Sequence, residues 1–313
     1  MRKIITLFLL SIISIFTYGQ TLTFTPQWAP QSQFAGYYVA QEMGLYKEVG
    51  LNVKIEHPSI SNTALNWLKQ GRCDIITLQL VSAIENISGG VPLVNILQTS
   101  QNNALMIVSK YGISSIDQLA GKRIGHWRAG FSELAFAMIN DRKLNVEWVP
   151  FIHNINLFVS EAIDATLAMS YNEYFQILTS GKRIDTKGIF RLSEMGYNIP
   201  EDGLYVTKDF YEKNKDALLR FAEASKRGWQ WASQHQHQTV DLVMRIAKEH
   251  NVNTNRPHQE WMLKEILALQ IDKSTGKASF ELKESDVKKA NEILLKNGDI
   301  KYPVEYNQLT MPK

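Results

Sequence analysis

The sequence predicts an α/β protein of two lobes joined by two hinge crossovers and followed by a helical C-terminal tail. Short β-branched or aromatic runs alternate with helical patterns that end at glycine, which is typical of βαβ units in a parallel sheet. This alternation starts again after residue 115, as expected for a second sheet. Four amphipathic patterns with the helical period of 3.6 then follow residue 214.

The first lobe is predicted from five strand-like runs and three helical patterns. The runs are LTFTPQW at 22–28, NVKIEH at 52–57, CDIITLQ at 73–79, VPLVNILQTS at 91–100 and NALMIVSK at 103–110. The helices are predicted at 34–43, 62–70 and 80–88, and a glycine follows each of them.

The second lobe repeats this alternation and ends where the chain returns to the first lobe. Its strands are predicted at 123–127, 146–151 and 164–170, and its helices at 131–142, 156–163 and 171–181. The run DGLYVTKDFYEKN at 202–214 is interpreted as the returning strand. We therefore expect lobe 1 to comprise 20–109 plus 204–313 and lobe 2 to comprise 110–203, with tail helices at 215–236, 238–250, 256–270 and 284–298.

The N-terminus has the pattern of a secretory signal peptide. Two basic residues precede an apolar run over 4–16, and Thr17 and Gly19 occupy the −3 and −1 positions of a cleavage site. We expect 1–19 to be removed and the mature protein to start at Gln20 in the periplasm. No cysteine follows the apolar run, which argues against a lipid anchor there; an uncleaved membrane anchor is the alternative.

Charge and cysteine content exclude several classes of function. The whole chain has 34 basic and 31 acidic residues, and removal of the leader with its two basic residues leaves a side-chain net charge of +1. This balance argues against a nucleic-acid or acidic-membrane partner. Cys73 is the only cysteine, so no intramolecular disulfide forms. The histidines match no zinc-motif spacing, and we expect neither a metal nor a cofactor.

Five segments carry a resemblance to a known family: QWAPQSQFAGYYVAQEMGLYKEVGLNVKI, LKQGRCDIITLQLVSAI, IDQLAGKRIGHWRAGFSE, ATLAMSYNEY and EDGLYVTKDF. The sequence resembles the periplasmic solute-binding proteins of ABC importers, in the branch of aliphatic-sulfonate and thiamine-pyrimidine-precursor binders. The resemblance implies a type II-like two-lobed periplasmic binding protein. It also implies a monomer that delivers a small molecule to an inner-membrane ABC permease with its ATPase, without catalysis.

Candidate site residues of the first lobe follow strand ends, where ligands bind in open parallel sheets. Trp28 is expected to stack on a flat ligand, although it could instead pack between strand and helix. Gln33 could bind a ring nitrogen or an amine, or cap the helix, and Tyr37 either faces the cleft or packs within its helix. Thr77 and Gln79, at the end of a strand, could donate to the ligand or remain exposed.

The second lobe supplies the opposite wall and the polar contacts. Trp127 and Phe131 are predicted to form a second aromatic wall, and Glu133 either reaches the ligand or complements a helix dipole. Relatives that bind sulfonate or nitrate tend to carry small hydroxyl residues here, so the bulky aromatics and Glu133 favour a flat heterocycle.

The stretch MSYNEYF provides the strongest sequence argument about the ligand. Tyr171, Asn172 and Glu173 follow a strand, and a neighbouring carboxylate and amide suit the edge of an aminopyrimidine, unless they serve only the helix N-terminus. Asp202, at the return crossover, could contact the ligand or stabilise the hinge turn.

The sequence leaves other ligands and one other role open. Flavins and aliphatic or aromatic sulfonates are alternative ligands, and a soluble sensory module is an alternative role. Thiamine-pyrimidine synthases resemble this chain but carry a cysteine-rich iron-binding segment, and the matching stretch here, ATLAMSYNEY, has no cysteine. The sequence therefore predicts a binding protein for a small flat heterocycle, such as a thiamine pyrimidine precursor, and no enzyme.

Overall fold

A computed structural model describes residues 19–59, 61–128, 130–152 and 155–310. The described chain forms two five-stranded sheets, each covered by helices, with the longest tail helix packed on the first sheet. The predicted signal peptide lies, apart from Gly19, outside the described residues. No helix among the described residues combines the length and apolar character needed to cross a bilayer.

The first sheet has the order β2-β1-β3-β10-β4. Its strands are β1 Gln20–Thr25, β2 Leu51–Ile55, β3 Ile75–Gln79, β4 Leu93–Gln98 and β10 Asp202–Thr207. β1 runs parallel to β2 and β3, whereas β10 runs antiparallel to β3 and β4. The strand-helix alternation predicted a parallel sheet, and β10 runs antiparallel to it because that strand enters directly from the other lobe without a crossover helix.

The second sheet has the order β7-β6-β8-β5-β9. Its strands are β5 Leu105–Ser109, β6 Arg123–Trp127, β7 Glu147–Phe151, β8 Ala165–Met169 and β9 Ile189–Arg191. β6 runs parallel to β7 and β8, and β5 runs antiparallel to β8 and β9. Both sheets are therefore mixed, with a parallel part that places strand ends and helix starts at the cleft.

The two crossings lie earlier in the chain than the predicted boundaries at 109 and 203. β5 was assigned to lobe 1, but it pairs with β8 and β9 of the second sheet. The chain therefore crosses within 99–104 and returns within 192–201, so that Asp202 already belongs to the first sheet. The apolar run of β5 is buried throughout and would suit either sheet, whereas the polar stretch TSQNN before it marks the real crossing.

The helices follow the predicted pattern except in three places: the short helices at 45–48 and 306–309 were not predicted, and the first tail helix begins at Lys208, inside the run 202–214 that was interpreted as a strand. Those of the two lobes are α1 Ala35–Glu42, α2 Leu45–Glu48, α3 Ala64–Lys69, α4 Leu80–Ser88, α5 Glu133–Asp141, α6 Asn156–Val159 and α7 Glu173–Thr179. The tail contains α8 Lys208–Gln234, α9 Gln236–Glu249, α10 Arg256–Leu269, α11 Glu284–Asn297 and α12 Tyr306–Leu309. A small hairpin of β11 Ile271–Asp272 and β12 Lys277–Ala278, which the sequence did not predict, separates α10 from α11.

The close packing of α1 on α8 anchors the first strand exit. A side chain at Gly36 would approach the Trp229 ring to 2.2 Å, and one at Gly228 would approach the Gly36 carbonyl oxygen to 2.1 Å. Tyr37 packs edge-on against Phe24 at 4.7 Å and against Trp229 at 5.6 Å between ring centroids. The glycines thus let two helices approach at backbone distance and hold the start of α1 rigidly behind the cleft.

Candidate ligand-binding site

A cleft between the two lobes contains two adjoining chambers. The inner chamber holds about 430 Å³ of empty space and the outer one about 1440 Å³, both including space open to solvent. Gln27, Trp28, Trp127 and Phe131 line both chambers and form the neck between them. The cleft lies past the ends of β1, β3, β6 and β8, where a parallel sheet is expected to bind its ligand.

Aromatic side chains from both lobes face the neck. Trp28 follows β1 of lobe 1, and His57 holds its carbonyl oxygen through Nδ1 at 2.6 Å. Trp127 ends β6 of lobe 2 and packs edge-on against Phe131, with ring centroids 5.9 Å apart, and against Phe151 at 5.5 Å. The walls are therefore held by their own neighbours before a ligand arrives.

The Phe131 ring is placed by a strained turn. Gly130 and Phe131 both have left-handed backbone conformations, with φ of 72° and 65°. This region is unfavourable for a bulky side chain and occurs mostly where the surrounding structure requires it. Backbone strain of this kind is often found at ligand-binding positions, and here it turns toward the neck a residue that lines both chambers.

A chain of side-chain amides covers the floor of the inner chamber. Nε2 of Gln27 and Nε2 of Gln33 donate to the two carboxylate oxygens of Asp202, at 2.8 and 2.7 Å. Oε1 of Gln33 in turn accepts from Nε2 of Gln31 at 2.6 Å. With their nitrogens turned toward Asp202 and Gln33, Gln27 and Gln31 direct their oxygens away from these partners, where they can accept from a ligand.

Asp202 is a buried acid that orients this floor without lining the inner chamber. Burial raises the pKa of Asp202 to about 6, while the hydrogen bonds from Gln33 and Gln27 oppose the increase. Its backbone carbonyl also accepts from the amides of Thr99 and Ser100 in the first crossing, both at 2.9 Å. The hinge and the floor of the site therefore share one residue.

Tyr171, Asn172 and Glu173 line the inner chamber on the side of lobe 2. Both Glu173 oxygens already accept hydrogen bonds, one from the Met169 amide at 3.0 Å and one from Asn172 Nδ2 at 2.8 Å. Oδ1 of Asn172 accepts from Gln176 at 3.0 Å. The pair thus stabilises its own turn, and burial raises the pKa of Glu173. Contact of this pair with a ligand remains a prediction.

Of the three remaining candidates of the first lobe, only Thr77 lines a chamber. Tyr37 lies in the core between Phe24 and Trp229 and lines neither chamber, so the structure supports packing within the fold. Thr77 lines the outer chamber and accepts from the Gln27 amide at 2.8 Å, which anchors the exit of β1. Gln79 is buried beside Asp202 in the sheet register and lines neither chamber.

Acidic side chains from both lobes line the outer chamber. Glu85 of α4 and Glu133 at the start of α5 lie in this wall, and Arg128 lies exposed at its edge. Burial, together with the charges of Glu133 and Asp299, raises the pKa of Glu85 to about 8. Burial likewise raises the pKa of Glu133. Glu133 thus reaches the cleft, whereas Glu85 gave no signal in sequence because it lies in the middle of an ordinary helix.

A clasp between α10 and the turn after β8 was also missed. Nε1 of Trp261 donates to the Ser170 carbonyl oxygen at 2.8 Å, and His258 stacks on Phe175 with centroids 5.1 Å apart and planes 7° apart. Burial in this contact lowers the pKa of His258. On the same helix, Gln259 accepts from the Ser32 amide at 2.7 Å. One tail helix therefore contacts the binding turns of both lobes.

Comparison with known proteins identifies the family. A model of the family described as NMT1/THI5 like matches residues 31–239, which is more than half of the chain. The chain belongs to this family. YtlA of Bacillus subtilis (strain 168), named as a candidate binding protein, is 22% identical over 292 residues, which are 88% of this chain and 83% of YtlA. The riboflavin-binding protein RibY of Chloroflexus aurantiacus is 21% identical over 243 residues, covering 74% of this chain and 67% of RibY.

Solved structures similar to this NMT1/THI5-like chain confirm the predicted fold. The periplasmic aliphatic sulphonate binding protein SsuA from Escherichia coli superposes with a TM-score of 0.67 at 14% identity, over 93% of this chain and 97% of SsuA. The desulfurization enzyme DszB superposes with a TM-score of 0.62 at 14% identity, over 94% and 97% of the two chains. The two-lobed periplasmic-binding-protein fold is therefore present, and the same fold serves binding proteins and at least one enzyme.

Proposed function

We propose that this protein is the extracytoplasmic solute-binding component of an ABC importer and that it binds a small flat heterocycle in the interlobe cleft. The observation that carries the proposal is the neck, where Trp28 of one lobe and Trp127 and Phe131 of the other line the same space. A flat ring between such walls gains about 0.5–1.5 kcal/mol per aromatic pair beyond the effect of area burial.

The polar groups of the inner chamber favour a ligand whose edge carries N–H or O–H donors. Asp202 orients Gln27 and Gln33, and Gln31 follows, so carbonyl oxygens remain as acceptors. Glu173 adds a buried carboxyl group. An aminopyrimidine, such as a thiamine pyrimidine precursor, presents donors of this kind and is our leading candidate.

The same chamber is poorly suited to a sulfonate. None of the described residues that line it is lysine, arginine or histidine. Burying an anion beside Glu173 and Asp202 would add a third acidic group without a compensating cation. An aliphatic or aromatic sulfonate is therefore a weaker candidate, although SsuA, which shares the fold, is a sulphonate-binding protein.

Riboflavin is the second candidate, for a reason of size. The outer chamber has a cavity volume of about 550 Å³, against about 50 Å³ for the inner one, and this lies within the 300–1,000 Å³ that is common for ligand pockets. The relative RibY is a riboflavin-binding protein, at 21% identity. A fused ring system could occupy the neck and extend into the outer chamber.

We expect binding without catalysis. The described residues that line the two chambers include no cysteine or histidine, and Cys73 is buried outside both. A ligand-binding domain of a sensory system could have the same chambers; a cognate permease and ATPase would be required only for import. The predicted leader would place the protein in the periplasm, and N-terminal sequencing of the mature protein is expected to start near Gln20.

Calorimetric titration with three ligands tests the ligand class. We expect an aminopyrimidine to bind more tightly than riboflavin, and an alkanesulfonate not to bind measurably. Sulfonate binding at least as tight as that of the aminopyrimidine would contradict the assignment. Mass spectrometry of ligand retained through native purification provides an independent identification.

X-ray scattering with and without saturating ligand tests the closing mechanism. Two crossings permit a hinge, so ligand should reduce the radius of gyration if the lobes close on it. Identical scattering curves at saturation would argue against closure.

A further inference from the structure

We propose that the outer chamber is a subsite for a protonated amine on the ligand, held between Glu85 of lobe 1 and Glu133 of lobe 2. The inference rests on the proposed function, because the flat ring is assumed to occupy the neck and the inner chamber. It extends that function by assigning the substrate class: a flat ring with a short cationic arm.

The first argument is the position of the two carboxyl groups. Glu85 lies on α4, which packs on the first sheet, and Glu133 begins α5, which packs on the second. Both line the outer chamber, next to the neck formed by Trp28 and Trp127. An arm that leaves a ring bound at the neck would therefore enter the chamber between these two side chains.

The second argument is that one carboxylate oxygen of this pair has no hydrogen-bond partner among the described residues. Oε2 of Glu133 is buried without a hydrogen-bond partner among the described residues. Within the same described part of the chain, neither Glu85 nor Glu133 forms an ion pair. An unpaired buried carboxylate oxygen is costly, and a cationic N–H donor is the partner that compensates it best.

The third argument comes from the surrounding charges. Burial, and to a lesser extent the charges of Glu133 and Asp299, together raise the pKa of Glu85 to about 8. Arg128 lines the mouth of the chamber but is exposed, and Lys69 donates to Asn86 instead, at 3.1 Å. Among the described residues no protein cation pairs with these two acids, so the free protein holds Glu85 largely protonated at neutral pH. A bound ammonium group would favour the ionised carboxylate instead.

The neighbouring aromatic rings suit the same ligand. Trp28, Trp127 and Phe131 line the outer chamber as well as the neck. A cation close to the face of an aromatic ring is favourable in a partly desolvated site, most of all over tryptophan. The walls that stack the ring would therefore also stabilise the first atoms of a cationic arm.

The test compares two probes that differ only in charge: a 4-aminopyrimidine bearing a 2-aminoethyl arm and the same ring bearing a 2-hydroxyethyl arm. For the wild-type protein, we expect the amine to bind at least about tenfold more tightly in calorimetric titration, as a charge-assisted hydrogen bond provides. In Glu133→Gln and in Glu85→Gln this preference should fall to within about twofold, while the hydroxyl probe binds as before.

Controls separate the possible failures. Glu161→Gln removes an exposed lobe 2 carboxylate that pairs with Lys182 and should leave both affinities unchanged. Equal binding of the two probes to the wild type would overturn the amine subsite and leave the proposed function intact. If neither probe bound, both the ring assignment and the subsite would be wrong. Binding of Mg²⁺ alone that either Glu→Gln variant abolishes would make this an inorganic cation site and overturn the assignment to an amine. A melting temperature close to that of the wild type shows that each variant is folded.

Discussion

Replacing Asp202 by asparagine should separate ligand affinity from stability. The carboxylate orients Gln27 and Gln33, with donor–acceptor distances of 2.8 and 2.7 Å. Asparagine has nearly the same size but offers one acceptor and one donor. One of the two glutamines must then turn its oxygen toward Asn, which directs its NH₂ group into the site in place of an acceptor.

The expected loss of affinity follows from this reversal. A ligand donor that met a carbonyl oxygen would instead meet an NH₂ group, which removes one hydrogen bond and leaves both groups unpaired. Hydrogen bonds and unpaired buried groups of this kind are worth about 1–3 kcal/mol, so binding of an aminopyrimidine should weaken roughly 5- to 150-fold.

Stability should change in the opposite direction. Burial raises the pKa of Asp202 from 3.8 to about 6, which means that the folded state holds the ionised carboxylate at a cost. The difference corresponds to roughly 3 kcal/mol at neutral pH as an upper limit. Asp202→Asn removes that cost along with two charge-assisted hydrogen bonds, so the melting temperature at pH 7.5 should be unchanged or higher.

Calorimetric titration and thermal unfolding of the same preparations provide the readouts. Affinity of the wild type should also fall as the pH drops below about 6, where Asp202 becomes protonated, and this pH dependence should be absent in Asp202→Asn. Glu201→Gln is the matched control, because Glu201 is an adjacent buried acid that bonds to the Ala104 amide and not to the glutamines. Unchanged affinity in Asp202→Asn, with a retained fold, would refute the role of the amide chain in binding.

Three further predictions follow from single contacts. Trp261→Phe keeps an aromatic side chain, though a smaller one, and loses the donor to Ser170, so ligand should dissociate roughly two- to tenfold faster in stopped-flow measurements; an unchanged rate would mean that the clasp does not hold the closed state. The buried Glu201 has its pKa raised to about 8, so the melting temperature of the free protein should fall as the pH rises from about 5 to 8, and Glu201→Gln should reduce this slope. Trp28→Ala should weaken heterocycle binding by at least about 0.5–1.5 kcal/mol in calorimetry, with little change in melting temperature, and an equal loss of stability would indicate a packing role.

The sequence predicted the helices and most strands because their periodicity is local. The four tail patterns at 215–236, 238–250, 256–270 and 284–298 correspond to α8, α9, α10 and α11. The hinge was misplaced because the choice of sheet for a buried strand depends on long-range pairing. The β5 residues pair with Ala165–Met169, about sixty residues later, and nothing within the run LMIVS specifies that partner.

Residues of the candidate site were predicted where their position directly after a strand is enough to place them at the cleft. They were missed where a residue distant in the sequence sets their orientation. Trp28 and Trp127 were placed at the cleft because each stands at the end of a strand. Gln27 and Gln31 were overlooked, since an amide in a loop is an ordinary polar residue until Asp202, 175 residues after Gln27, orients it. Tyr37 shows the opposite error, because its position next to the binding turn says nothing about which face of α1 packs inward.

Asp202 connects the floor of the candidate site with the hinge between the lobes. Its side chain orients the glutamines of lobe 1, while its carbonyl oxygen accepts from the Thr99 amide at 2.9 Å and the Thr99 hydroxyl at 2.7 Å in the opposite crossing. Rotation about the hinge therefore takes place next to Asp202, the residue whose side chain orients the amides of the floor. A ligand that hydrogen-bonds to Gln27 in only one arrangement of the lobes favours that arrangement by its difference in binding free energy.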